Sequence, residues 1–275
     1  MYNADKYSLK KGLYMRLLFF RHGDPDYVID GLTDKGKIEA KLLADRIKSF
    51  GIDEVYQSPL GRAKDTASYS LKELSLPVTT CQWLMEFPAL FDPNLADDET
   101  RNAYKSELKK DEGSVAYEKR IVWDMMPSYY MNHPELFDRN AWRDSELVKA
   151  SNALSVYDNV IKNFDGLLED HGYKRDGDIY RVTEGNDKTI ALFCHFGITC
   201  VMLSHLWNVS PFIPLQFLAM APTSVTEVVT EEREKGIAIF RALRVGDITH
   251  LTIGNEAPSF SARFCERFEN EGERH

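Results

Sequence analysis

The stretch Met15-Arg16-Leu17-Leu18-Phe19-Phe20-Arg21-His22-Gly23-Asp24 constrains this chain more than any other. A short apolar run that stops at turn-forming residues reads as a buried strand of a parallel sheet. In open α/β sheets, ligands bind just beyond the carboxyl ends of such strands. Arginine, histidine and glycine at that end describe a place for an anion. Two basic side chains meet there, and the glycine lets the chain turn.

A second strand ends in the same way. Lys188–Cys194 is strongly apolar and runs into His195-Phe196-Gly197. Between the two, Arg62 falls in the first turn of a helix expected from about Leu60 to Leu74. The helix dipole mildly disfavours a cation there but favours a bound anion. Taken alone, Arg62 reads equally well as a solvated surface arginine. A lone histidine is more often structural than functional. Two histidines at equivalent strand ends, flanked by arginines and glycines, are much harder to place in a core. Arg21, His22, Arg62 and His195 together would make a strongly positive pocket fitted to a phosphoryl group.

The rest of the chain supplies the frame. Thr33 is the expected N-cap of a helix with Ile38, Leu42, Leu43 and Ile47 on its apolar face, closed by Gly51. Asp53–Gln57 and Pro77–Cys81 read as strands, and a long helix is expected from Asp144 or Ser145 to about Glu169. Tyr173–Asp187 reads as a polar loop and Ile198–Trp207 as a helix. Val225–Thr230, Ile237–Arg244 and Ile248–Thr252 read as later strands, the first two joined by a turn at Glu232–Gly236. Alternation of strand and helix predicts an α/β fold, three-layer α/β/α with a mainly parallel sheet.

Residues 88–143 break the pattern with Pro88, Pro93, Pro127 and Pro134, a charged run near Lys105–Glu112 and many aromatics. A loop this long is seldom structureless inside a compact domain. The expectation is one domain over 1–275 with a partly helical cap insertion at about 88–143. Residues 1–13 read as an extension or an added edge element, and Arg263–His275 as a loose charged tail.

A formal net charge of −9 argues against nucleic acid and acidic membrane surfaces as partners. No apolar run approaches a membrane span, and the first residues lack a signal-peptide core. Cys81, Cys194, Cys200 and Cys265 show no metal-type spacing and read as reduced thiols, so a cytoplasmic location is expected. Cys194 lacks the arginine six positions on that a cysteine phosphatase needs, since that position is Cys200. The glycines between Gly172 and Gly185 form no phosphate loop.

Leu18-Phe19-Phe20-Arg21-His22-Gly23 closely resembles the signature of the histidine phosphatase superfamily, whose first branch includes phosphoglycerate mutases. The resemblance continues through Gly31-Leu32-Thr33-Asp34-Lys35-Gly36 with Ala40, through Ser58-Pro59-Leu60-Gly61-Arg62-Ala63-Lys64-Asp65-Thr66-Ala67, and through His195-Phe196-Gly197. It implies a phosphatase that hydrolyses a small phosphomonoester through a phosphohistidine on His22, with no metal or other cofactor. Arg21, Arg62 and His195 would clamp the phosphoryl oxygens, and amides near Gly23 or Gly197 would assist. Glu86 matches the branch-one general acid, while Asp24 is the rival suggested by the string Arg-His-Gly-Asp. The acid-phosphatase branch carries a His-Asp pair at the second histidine, whereas Phe196 stands here. Asp24-Pro25-Asp26-Tyr27 departs from the family pattern after its first motif. Phe87-Pro88-Ala89-Leu90-Phe91 lacks the tyrosine and glycine that mutases carry after the acid. Mutase-type phosphoryl transfer and a non-catalytic phospholigand-binding protein are the alternatives. Substrate identity and oligomeric state are not legible.

Overall fold

The computed structural model describes residues 14–104, 108–110, 113 and 115–259. The extension at 1–13 and the tail Arg263–His275 lie outside the described residues, as does part of the charged run near Lys105–Glu112. The chain forms two compact units, the first built from the described parts of Met1–Glu86, Asp165–Thr199 and Ala219–His275.

The first unit carries an eight-stranded sheet. Its strands are β1 (Arg16–Arg21), β2 (Glu54–Gln57), β3 (Val78–Thr80), β4 (Tyr173–Asp176), β5 (Ile179–Val182), β6 (Thr189–Cys194), β7 (Val225–Glu234) and β8 (Ile237–Asp247). Their spatial order is β3-β2-β6-β1-β7-β8-β5-β4. From β3 to β1 neighbouring strands are parallel, and from β1 to β4 each pair is antiparallel. Parallel neighbours need long crossovers, supplied here by α1 (Asp34–Ile47) and α2 (Gly61–Leu74). The antiparallel part grows from hairpins, which need only tight turns. The chain is therefore an α/β fold whose mixed sheet is parallel in its core.

Burial explains why β1 and β6 are continuous apolar runs rather than alternating ones. Every residue of β6, and all of β1 after Arg16, is buried, as strands covered on both faces must be. On one face Leu18, Phe20, Ala191 and Phe193 pack with Leu43 and Ile47 of α1 and Ala67 of α2. Phe20 stacks on Phe193 with centroids 4.7 Å apart. Burying each such side chain contributes about 1.5–3 kcal/mol. Thr33 caps α1 by accepting the Gly36 amide at 3.0 Å. The buried face of α1 is centred on Glu39, Ala40, Leu43, Ala44 and Ile47, and Ile38, expected inside, is half exposed.

Three further local readings differ from the sequence expectation. Tyr173–Asp187 is not a loop but holds the hairpin β4–β5, turning at Gly177 with φ +60°. The hairpin lies at the sheet edge, where Tyr173 and Tyr180 are buried and Lys174, Asp176 and Asp178 are exposed. Ile248–Thr252 is not a strand, because Thr249–Ile253 is helical. Asp247 Oδ1 accepts the Thr249 amide at 2.6 Å and so starts a turn where a strand was expected. The long helix from Ser145 is two helices, Glu146–Lys149 and α3 (Ala153–Asp170). The backbone of Leu90 exchanges hydrogen bonds with Asn152, and Phe91 bridges to Ser151, which draws 151–152 out of helical conformation.

The second unit comprises the described residues of Phe87–Phe164 and Cys200–Leu218. It contains short helices, 3₁₀ turns and a two-stranded ribbon, Leu90–Phe91 with Arg120–Ile121. Its aromatics mostly serve its own core. Phe91 stacks on Tyr104 at 4.7 Å, and Trp142 meets Tyr157 and Phe212 edge-on.

Candidate active site

Register brings the two histidines together. Arg21 pairs with Cys194 across β1 and β6, so the next residue on each strand, His22 and His195, emerges at the same edge. The His22 amide donates to Cys194 O at 3.0 Å, and the two imidazole centroids lie 5.0 Å apart. On the other side of β6, Phe193 pairs with Gln57, which places Ser58 beside His195. Ser58 Oγ lies 2.7 Å from His195 Nε2. Three neighbouring parallel strands thus deliver Ser58, His195 and His22 in a row.

The state of His22 follows from its partners. Its Nδ1 is 2.7 Å from Gly23 O. A carbonyl oxygen only accepts, so Nδ1 carries the hydrogen and Nε2 keeps its lone pair. Burial holds the imidazole well below its usual range, reinforced by the charges of Arg21 and Arg62. His195 is lowered in the same direction, first by burial and then by His22, Arg62 and Arg21. Both rings are neutral near pH 7. A neutral imidazole with an unprotonated nitrogen in an electropositive pocket has the makings of a nucleophile.

The two arginines are held differently. Arg21 is 6% exposed. It donates to Met220 O, and its guanidinium lies over the Phe196 ring at 5.7 Å. Phe196 therefore gives Arg21 an aromatic platform. Arg62 enters on the first turn of α2 and donates through an Nη1–H to Asp30 Oδ1 at 2.7 Å. Asp30 Oδ2 accepts the Gly61 amide at 2.6 Å, and the Arg62 guanidinium lies over Tyr27 at 5.4 Å. Asp30 adopts φ +48°. It is held below the usual carboxylate range by hydrogen bonds from Gly61 and Arg62, which outweigh its desolvation.

In this corner His195 Nδ1 and Arg62 Nε are buried without a protein partner among the described residues. Buried polar groups of native proteins are nearly always satisfied. An anion bound beside His22 would supply acceptors for both.

The remaining residues named from sequence fall as follows. Glu86 follows the turn Gln82–Leu84, and its Oε1 accepts the Ile198 amide at 3.1 Å. That amide belongs to the first turn of α4 (Phe196–Trp207), three residues beyond His195. Gly197 lies in the same turn, where helical amides have no intrahelical acceptor. The Gly23 amide, by contrast, donates to Thr66 Oγ1 at 2.9 Å. Gly23 serves the turn through its missing side chain, since a Cβ there would lie 2.8 Å from Gly36 O. Asp24 is turned toward α1 and the C-terminal segment. Its Oδ2 accepts from Thr33 Oγ1 at 2.7 Å, and its Oδ1 accepts from Ser259 Oγ. Cys194 is buried and its thiol is pushed up to about 12, so it stays protonated.

Sequence reasoning missed Asp30, Ser58 as a partner of His195, and the segment Met220–Ser224. The only signal for Asp30 was its place just before a glycine ahead of α1. Nothing in the spacing of Met220–Ser224 pointed to the site, because that segment reaches it from the far side of β1.

Residues 17–120 match the Histidine phosphatase superfamily (branch 1). No curated protein matches the chain. Among solved structures, phosphoglycerate mutase from Bacillus anthracis str. Sterne is 18% identical, with 90% of this chain and 99% of that one covered and a TM-score of 0.54. A mutant phosphoserine phosphatase from Entamoeba histolytica is 16% identical, with 86% and 99% covered and a TM-score of 0.53. The mycobacterial glucosyl-3-phosphoglycerate phosphatase bound to inorganic phosphate is 17% identical, with 86% and 98% covered and a TM-score of 0.52. At these identities the likeness is one of fold. Residues 17–120 are thus similar to the histidine phosphatase superfamily, branch 1, and the chain shares its α/β architecture with these solved structures.

Proposed function

We propose that the chain is a phosphatase that hydrolyses a small phosphomonoester through a phosphohistidine on His22. The observation that carries this reading is a neutral His22, with Nε2 unprotonated, beside Arg62 Nε and His195 Nδ1, both buried without a protein partner among the described residues. The fold shared with phosphatases and a mutase supports the same class of chemistry.

In the first step His22 Nε2 attacks phosphorus in line, and the bond from phosphorus to the ester oxygen breaks. Glu86 gives its proton to the departing oxygen, which leaves as an alcohol. In the second step Glu86 takes a proton from water as the water oxygen attacks phosphorus. The phosphorus–nitrogen bond breaks, releasing inorganic phosphate and neutral His22. Arg21, Arg62 and His195 face the equatorial oxygens and stabilise the charge that spreads over them. His195 can donate from Nδ1 when the Ser58 hydroxyl donates to its Nε2. Glu86 is preferred to Asp24 as the acid because Asp24 is committed to Thr33 and Ser259, whereas Glu86 is fixed at the start of α4 beside His195. On this reading the insertion at about 88–143 encodes the choice of ester.

The test is a phosphatase substrate screen on the wild type and on His22→Ala, with alkaline-stable phosphoenzyme trapped from labelled substrate. Inorganic phosphate release and label on the wild type alone are expected. Activity that survives His22→Ala would sink the nucleophile assignment, and an isomerised phosphoester without net phosphate release would make the enzyme a mutase.

A further inference from the structure

The segment Met220–Ser224 grips the end of β1 through its backbone. Met220 O accepts from the Arg21 guanidinium. Ser224 O accepts the Arg21 amide at 3.1 Å, and the Thr223 amide donates to His22 O at 3.1 Å. His22 is thereby held at every backbone polar group, since its own amide goes to Cys194 O. The central residue of this grip is strained. Thr223 is fully buried and adopts φ +58°. A β-branched side chain in the left-handed region is a genuine outlier, kept only where the surroundings over-determine it.

Those surroundings are visible. Thr223 Oγ1 lies 2.7 Å from Pro222 O and 2.9 Å from His250 Nε2. The hydroxyl has one hydrogen, and a carbonyl only accepts, so that hydrogen goes to Pro222 O. His250 Nε2–H must then donate to Thr223 Oγ1. His250 is 3% exposed and rides on the helix Thr249–Ile253, whose start is fixed by Asp247. A glycine would take the Thr223 conformation at no steric cost. What threonine adds is the hydroxyl, and through it the link to His250.

We propose that His250 and Thr223 are positioning residues for His22. His250 locks Thr223 in its left-handed conformation, and the Thr223 amide then fixes the His22 carbonyl and with it the seat of the imidazole. Neither residue touches the reacting atoms. The kinetic part of this inference rests on His22 being the nucleophile, whereas the structural part does not.

The experiment uses the full chain with p-nitrophenyl phosphate as substrate, together with ¹⁵N resonances of the His22 ring assigned by their loss in His22→Ala. His250→Leu is expected to lower kcat by about 10- to 100-fold with KM little changed, the penalty of a misplaced reactant. It should also shift the His22 ring signals. His250→Gln, whose amide can still donate to Thr223 Oγ1, should recover most of both. Unchanged His22 signals in His250→Leu would overturn the proposal. So would a loss of activity that merely tracks the folded fraction in thermal melts. If the wild type does not turn over the ester, the functional reading fails, and the ring signals still decide the pairing. Should His250→Leu not fold, Thr223→Gly and Thr223→Ser replace it. Glycine should reproduce the shift and serine should reverse it, and any other order refutes the link.

Discussion

Gly36→Ala sets two physical effects against each other. Gly36 lies in the first turn of α1, and alanine in a helix is favoured over glycine by at most about 1 kcal/mol. A Cβ at this position would stand 2.3 Å from Asp24 O and 2.9 Å from Asp24 N, where ordinary contacts begin at 3.4 Å. Both atoms are backbone, so no side chain can swing away. The turn that follows His22 must therefore shift by about 1 Å. Overpacking of this kind costs about 1–3 kcal/mol. The net expectation is a loss of about 1–2 kcal/mol, or about 2–4 °C in Tm for each kcal/mol lost. Displacing Asp24 also displaces Gly23 and His22, so turnover should fall by about 10- to 100-fold. Gly166→Ala is the control. That glycine is exposed in α3 with nothing within 4 Å of a new Cβ, and its replacement should gain up to about 1 kcal/mol. Thermal melts and p-nitrophenyl phosphate kinetics on the two variants provide the measurement. A Gly36→Ala protein that melts no lower than the wild type and keeps its kcat would refute the packing argument.

Other consequences are equally open to measurement. Ser58→Ala leaves His195 Nε2 and the Leu60 amide without their shared partner. It should cost about 1–3 kcal/mol of stability by urea denaturation and should lower kcat. Asp30→Ala removes the brace on Arg62 and is expected to raise KM for the ester several-fold. An unchanged KM would mean that Arg62 is positioned by α2 alone. His250 is lowered to about 4, by burial first and then by the charge of Arg46. Between that value and the usual imidazole range the unfolded chain binds the extra proton, so stability is full above about pH 6.5 and falls as the pH drops toward 4. At pH 5 the loss from this one residue is about 2 kcal/mol. Urea denaturation at pH 7.5 and pH 5 should show the acid sensitivity shrinking by about that amount in His250→Gln.

The parallel half of the fold was legible because it is written in local chemistry. Strands covered on both faces must be apolar throughout, and β1 and β6 are. Thr33 announces α1 through a capping hydroxyl that the structure uses. The edge hairpin was hidden, since edge strands face water and carry polar residues that read as a loop. The break at 151–152 was hidden as well, because helical periodicity carries no trace of a ribbon strand more than fifty residues away claiming its backbone.

The candidate site divides along the same line. Sequence by itself marked Arg21, His22, Arg62, His195 and Glu86, because strand-end histidines, a helix-start arginine and the family motifs are all short-range patterns. Tertiary structure alone decided that β1 and β6 pair with Arg21 opposite Cys194, and so that the two imidazoles stand 5.0 Å apart. It also decided which nitrogen of His22 bears the hydrogen, that Asp30 braces Arg62, and that Asp24 turns to Thr33 and Ser259. Thr223 and His250, 27 residues apart, meet only because β7 and β8 fold back. Residue type and spacing state which chemistry is present. Register, burial and the assignment of each hydrogen-bond donor are properties of elements distant in sequence, and these determine whether that chemistry converges.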